Sequence, residues 1–125
     1  MNNRSVILVI LIFLISLIIF ITFYSVNPDS FGDSFIEQIR IADSENTLGS
    51  TSDDKLIQIG KEVCTSSNLW TNEQSSIEVI YNLLKGYNFN IEADNRIIPI
   101  LRFQSTYELC PENITVLEGL FSNEK

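Results

Sequence analysis

The sequence contains no histidine. Thiolate catalysis uses histidine to activate the cysteine, and structural zinc sites need four Cys or His ligands. The two cysteines, Cys64 and Cys110, cannot supply either arrangement alone, and no Cys-x-x-Cys pair suggests redox chemistry. The sequence therefore predicts no catalytic, cofactor-binding or metal-binding residues.

Basic residues are also scarce, with 8 Lys and Arg against 16 Asp and Glu. Nucleic-acid binding requires a Lys/Arg footprint, and attraction to anionic lipid headgroups needs a polybasic segment. Neither a basic run nor a stripe of alternating basic and aromatic residues is present. We therefore expect no nucleic-acid partner, while the acidic balance mainly favours solubility.

An uncharged apolar run, VILVILIFLISLIIFITF, begins at Val6 and ends at Phe23. Its length suits a helix that crosses the bilayer, and Arg4 before it favours a cytoplasmic N-terminus. The sequence predicts a single-pass membrane protein with an extracytoplasmic C-terminal domain. A cleaved signal, and hence a secreted protein, is the alternative, although the core is long and the expected cleavage region is bulky.

The rest of the chain has room for one small domain. We predict a membrane anchor or cleaved signal at 1–24, a juxtamembrane linker at 25–34, a helical exported domain at 35–111 and a C-terminal tail at 112–125. The apolar group at 114–121 either packs on the domain or frays.

Apolar residues recur at helical spacing, and alternating runs typical of strands are scarce. The sequence predicts an all-α fold, in which the transmembrane helix is followed by a disulfide-tied bundle of about four helices. These span about 35–42, 53–67, 71–85 and 94–109. Ser34 and Thr71 have the spacing of capping boxes. Pro99 indicates that the fourth helix either begins nearer Ile98 or kinks, and Gly60 suggests close approach of another helix.

The loop at 43–52 raises the question of calcium. Asp43, Glu45, Thr47 and Asp54 occupy spacings like those of an EF-hand, but Leu48 stands where the sharp turn needs glycine. A plain loop is the preferred interpretation.

Both cysteines lie in the predicted exported part, where disulfides are stable. The sequence predicts a bridge between Cys64 and Cys110. In the loop-entropy model such a bridge contributes roughly 4 kcal/mol to stability.

Three segments of the chain match successive parts of one family pattern: DSFIEQIR at 33–40, LIQIGKEVC at 56–64 and YELCP at 107–111. In order and spacing they resemble the domain of unknown function 732 family, which comprises small exported or membrane-attached proteins, mainly of mycobacteria and other actinobacteria. The resemblance implies a small helical domain with a cysteine bridge and no assigned activity.

These observations favour an interaction module over an enzyme. The lipid bilayer is the expected partner of the apolar run, and a protein of the cell envelope is the expected partner of the domain. Trp70 is a candidate contact residue, with a place in the core as the alternative. Two other functions stay open: a structural or envelope component, and a small hydrolase that uses a pair of carboxylates from Glu62, Glu108 and Glu112. For these glutamates, solvated helix faces are the simpler interpretation.

Overall fold

The computed structural model describes residues 2–24 and 32–122, and for residues 20–24 it describes the backbone alone. The chain divides into two compact units, residues 1–31 and 32–125. The first unit contains α1, Asn3–Tyr24. Its large apolar side chains are exposed along the described length, which ends at Ile19.

Among the described residues, no helix is long and apolar enough to cross a membrane. The side chains of residues 20–24, which complete the predicted anchor, lie outside the description. The same holds for residues 25–31, which make up most of the predicted linker.

All regular secondary structure in the described part of the second unit is helical, as predicted. Its α-helices are α2 (Asp33–Ala42), α3 (Asp53–Thr65), α4 (Glu73–Gly86), α5 (Ile97–Leu109) and α6 (Ile114–Ser122). Two short 3-10 helices, Ser66–Leu69 and Pro111–Asn113, follow α3 and α5. The described part of this unit thus has five α-helices where the sequence predicts about four. The difference is α6, which packs on the domain because Leu117 and Leu120 are buried.

Helix starts differ from the sequence pattern in two places. The residue before α2 is Gly32 in a left-handed conformation, and no side chain caps this helix, so the predicted Ser34 capping box is wrong. In α4 the capping box is formed by Asn72 and Ser75, one residue beyond the predicted Thr71. Several side chains near the start of α4 can cap it, namely Thr71, Asn72 and Ser75, and the tertiary path of the chain selects among them.

Pro99 is the third residue of α5, where a missing N–H costs no intrahelical hydrogen bond. This confirms the interpretation that the helix begins nearer Ile98. The preceding turn is closed by Asn95, whose side-chain oxygen accepts a hydrogen bond from the Ile97 amide at 2.9 Å.

The helix α5 is central, because it contacts α2, α3, α4 and α6. It buries six residues, three of which are polar: Arg102, Ser105 and Thr106. The other helices each bury one apolar stripe against it, as expected of helices on the surface of a small domain. The core comprises Phe35, Ile39, Leu48, Leu56, Ile59, Val63, Trp70, Ile80, Leu84, Ile91, Ile97, Ile98, Leu101, Leu117 and Leu120.

Gly60 lies where α2 and α5 both approach α3. A Cβ atom at this position would lie 2.6 Å from Leu109 Cδ1 and 2.7 Å from Phe35 Cζ. Both distances are well inside van der Waals contact, so the absence of a side chain allows the two neighbours to pack against the α3 backbone. The predicted reason for this glycine is confirmed.

Candidate functional site

The predicted disulfide is present. Cys64 near the end of α3 is bonded to Cys110 directly after α5, with 6.1 Å between their Cα atoms. The side-chain amide of Asn113 donates to the Cys64 carbonyl at 3.3 Å, which fixes the start of the last segment against α3. The bridge and this hydrogen bond together join α3 to the end of α5 and to the 3-10 helix that follows it.

Trp70 lies in the core and is 6% exposed. This is the alternative that the sequence left open for an aromatic residue beside a helix start. Its indole N–H has no hydrogen-bond partner among the described residues. As a contact residue Trp70 stays a prediction, and a partner would reach little of its surface in this structure.

The three carboxylates considered for hydrolysis have different surroundings. Glu62 Oε1 accepts hydrogen bonds from Tyr87 Oη at 2.6 Å and from Gln58 Nε2 at 3.2 Å. The hydrogen bond to Glu62, with desolvation and the carboxylate charge, raises the pKa of Tyr87 to about 12. Glu108 and Glu112 are exposed. No hydrogen bond among the described residues joins these glutamates to one another.

In the loop at 43–52, the carboxylate of Asp43 binds the backbone. Its two oxygens accept from the amides of Thr47, at 2.8 Å, and Leu48, at 2.7 Å. Among the described residues no group of three Cys, Asp or Glu side chains could hold a metal ion. The carboxylate of Asp43 thus has a structural role in the loop.

Arg40 fixes the other side of that loop. Its guanidinium donates to the Gly49 carbonyl at 3.1 Å and the Thr51 carbonyl at 2.5 Å, and it forms an ion pair with Asp53 at 3.0 Å. With Asp43 and the buried Leu48, it gives the loop a defined shape. These contacts could not be predicted from the sequence, because the loop has no apolar periodicity.

Arg102 is a buried cation that the sequence analysis missed. It donates to Ser76 Oγ at 2.6 Å, and Glu73 lies 3.7 Å away. Its guanidinium carbon lies 5.4 Å from the ring centroid of Phe103 and 5.2 Å from that of Phe121. Burial lowers the pKa of Arg102, and the charge of Glu73 opposes this. The available signal was a single basic residue within the apolar sequence IIPILRF.

Two clefts open where the loop at 43–52 meets the connector between α4 and α5. The neutral cleft has a volume of about 450 Å³ and is lined by Asn46, Thr47, Leu48, Gly49, Ser50, Thr51, Asn88, Phe89 and Asn90. The acidic cleft has a volume of about 540 Å³ and is lined by Glu45, Asn90, Ile91, Glu92, Asp94, Asn95 and Arg96. The two share Asn90. Both volumes are in the range of small-molecule sites.

Sequence reasoning missed these clefts, because their linings come from segments about 40 residues apart in the chain. The signal it could have used is the concentration of asparagine in the connector between α4 and α5, at positions 88, 90 and 95. Among the described non-glycine residues, Asn46 and Asn88 have positive φ angles of 55° and 64°. Asparagine adopts a positive φ more readily than most residues. Asn46 and Asn88 thus both allow the turns of the backbone and line the neutral cleft.

Comparison with family models, curated proteins and solved structures gives no match to this chain. The resemblance to the domain of unknown function 732 family therefore stays a prediction.

Proposed function

We propose that the protein is a single-pass membrane protein that carries a small extracytoplasmic binding module. The observation that carries this proposal is the surface of α1. Its large apolar side chains from Val6 to Ile19 are 41–70% exposed. Apolar surface of this extent is unfavourable in water and favourable in the hydrocarbon of a bilayer.

The orientation rests on charge and on the disulfide. Arg4 precedes the apolar run, whereas the first charges after it are the acidic residues Asp29 and Asp33. Positive residues are retained on the cytoplasmic side, which places the second unit outside. The bridge between Cys64 and Cys110 supports this side, because disulfides persist in oxidising compartments.

Binding, rather than catalysis, is the activity that we propose for the second unit. The glutamates considered for acid–base chemistry are exposed or hydrogen-bonded to neutral groups, and no histidine is present in the chain. The loop that lines the neutral cleft is held in place by Arg40 and Asp43. A fixed polar concavity on a helical scaffold is suited to holding a ligand.

Membrane attachment can be tested with the full chain in its native host. We expect the protein to remain in the membrane fraction after an alkaline wash and added protease to degrade the second unit in intact spheroplasts. A variant with Leu11→Arg and Leu14→Arg should leave the membrane fraction, because charged residues at the centre of a span are costly. A matched variant with Leu11→Val and Leu14→Val should behave as the parent.

Two results would contradict the proposed membrane topology. A shortened protein in the culture medium would support the secreted alternative. Two free thiols in protein from the native host, measured by mass spectrometry without reduction, would contradict both the oxidised state and the proposed topology. Crosslinking in the native membrane, with and without the second unit, would then test for a protein partner: crosslinks lost with that unit would identify it as the binding part.

A further inference from the structure

We propose that the neutral cleft binds a short, uncharged saccharide. This inference deepens the proposed binding function and rests on it. It does not depend on which side of the membrane the domain occupies.

The chemistry of the lining is the first argument. The chain has a formal net charge of −8, yet none of the nine residues around this cleft is charged. Side-chain amides and hydroxyls come from Asn46, Ser50, Thr51, Asn88 and Asn90. An amide both donates and accepts hydrogen bonds, as a sugar hydroxyl does, so this lining matches a polyhydroxylated ligand without ionic contacts.

The amides are also free to bind. Asn46, Asn88 and Asn90 are exposed, and among the described residues their side chains form no hydrogen bonds. Since such groups are solvated in the empty cleft, a ligand that replaces the water must supply several hydrogen bonds at once. A sugar ring, with adjacent hydroxyls, does so over a short distance.

The walls are rigid, which lowers the entropic cost of binding. Arg40 holds two carbonyls of one wall, and Asp43 holds two of its amides. On the other wall, the Asn88 and Phe89 amides donate to carbonyls at the end of α4, at 3.0 and 3.2 Å. The cleft is thus formed before a ligand enters.

Phe89 provides the apolar part of the lining. It is half-buried and packs against the core, so its position is fixed. Sugar rings have a C–H face that packs on aromatic side chains while their hydroxyls reach polar groups. One aromatic among amides and hydroxyls fits this division of a sugar surface.

The neighbouring acidic cleft indicates which ligand charge the neutral cleft should favour. Beyond the shared Asn90 it carries Glu45, Glu92 and Asp94 against the single cation Arg96. A ligand with carboxylates in the neutral cleft would be repelled by this excess, whereas an uncharged one would not. We therefore expect neutral sugars to bind better than uronic acids.

An extended peptide fits less well. Peptides often bind by pairing with a free backbone edge. In this loop the carbonyls of Gly49 and Thr51 and the amides of Thr47 and Leu48 are already hydrogen-bonded. Four backbone groups of the loop are thus already used, whereas the side-chain amides of the lining are not, which favours the saccharide.

The test uses the full-length protein in dodecylphosphocholine micelles, because maltoside detergents carry sugar headgroups. Amide and side-chain NH₂ signals are followed by NMR during titration with maltose, cellobiose and diacetylchitobiose. Digalacturonate and tetra-alanine serve as the charged and peptide probes. We expect saturable shifts of the Asn46, Asn88 and Asn90 side-chain signals with at least one neutral disaccharide, and weaker effects with the other two probes.

The variant is Asn46→Gly with Asn88→Gly, because glycine removes each amide while accepting the positive φ. Loss of two ligand hydrogen bonds should weaken binding about tenfold or more. Asn82→Ala, which changes an exposed asparagine of α4, should bind as the parent does.

Any of four results would overturn the proposal: no saturable shift with any neutral disaccharide, equal affinity in the double glycine variant, equal affinity for digalacturonate, or stronger binding of tetra-alanine. Because purified protein is used, failure here leaves the topology experiment untouched. Failure of the topology experiment likewise leaves the titration valid.

Discussion

The seam between α3 and α5 and the rim of the neutral cleft are stabilised by different interactions. At the seam, where Gly60 meets Phe35 and Leu109, close apolar packing is reinforced by the disulfide. At the rim, hydrogen bonds donated by Arg40 and hydrogen bonds accepted by Asp43 shape the loop. Burial of apolar side chains stabilises the seam. The rim is shaped by a few hydrogen bonds, and the asparagine side chains that line the cleft are not used in them. Changes at the seam should therefore cost more stability than changes at the rim.

The largest expected effect is loss of the disulfide. Replacing both cysteines, Cys64→Ala and Cys110→Ala, releases a constraint between positions 46 residues apart. We expect the free energy of unfolding to fall by about 4 kcal/mol, measured by urea denaturation of the full chain in micelles. The reduced parent should lose a similar amount, and a loss below about 1 kcal/mol in both would contradict the role assigned to the bridge.

Two glycines test the packing of the seam. Gly60→Ala should destabilise the domain by about 1–3 kcal/mol, because the new methyl group would overlap Phe35 and Leu109. Gly119→Ala is the matched control, since nothing lies within 4 Å of a Cβ at this position in α6. That variant should gain up to about 1 kcal/mol from helix propensity. Equal effects of the two substitutions on urea denaturation would show that packing at Gly60 is loose.

The buried Arg102 extends the comparison to the contacts of α5 with α4 and α6. Ser76→Ala removes the hydroxyl that accepts its hydrogen bond and should cost about 1–3 kcal/mol, because the cation loses a buried partner. Combining it with Arg102→Met should recover part of that loss, since the buried charge is then absent as well. A double-mutant cycle measures this coupling. Simple additivity would mean that the contact contributes little.

At the rim, Arg40→Met should have a smaller effect. The loop loses two side-chain hydrogen bonds, at a cost of about 1 kcal/mol. Hydrogen exchange should become faster at the Gly49 and Thr51 amides and stay unchanged in α5. Arg96→Met, at an exposed arginine of the acidic cleft, serves as the control. Faster exchange throughout the domain would show that Arg40 supports the core as well as the loop.

The smallest effect concerns pH. The pKa of Tyr87 is raised to about 12 from 10.0, with the Glu62 hydrogen bond as the largest cause. The stabilisation is complete below pH 10 and is lost as the pH rises through about 12, because the unfolded chain ionises this phenol first. Glu62→Gln should move the NMR titration of Tyr87 back towards 10. An unchanged titration in that variant would contradict the assigned cause.

The sequence predicted helix positions well wherever an apolar stripe had a clear period. The stripe through Leu56, Ile59 and Val63 is buried as expected, and the disulfide joins the predicted pair. The starts of α2 and α4 were predicted less accurately. Ser34 and Thr71 have capping spacing, but capping is worth little beside the packing of whole helices, so the tertiary path decides which residue lies at each end.

Neither the burial of Arg102 nor the neutral cleft could be predicted from helical periodicity. Arg102 is buried because residues of α4 and α6 surround it, and a helical pattern along α5 alone does not show those partners. The neutral cleft likewise forms from two segments that lie apart in the chain. Trp70 was a candidate for either surface or core, and its neighbours in space placed it in the core.

The sequence by itself determined the helical class, the central helix stripes and the pairing of the two cysteines, because local periodicity and residue chemistry suffice for each. The tertiary structure alone decided that the stretch after Pro111 forms a packed helix, that Arg102 is buried and that three asparagines line one neutral cleft. These features depend on which distant residues meet, and the free energy of those contacts is set only when the helices are packed together.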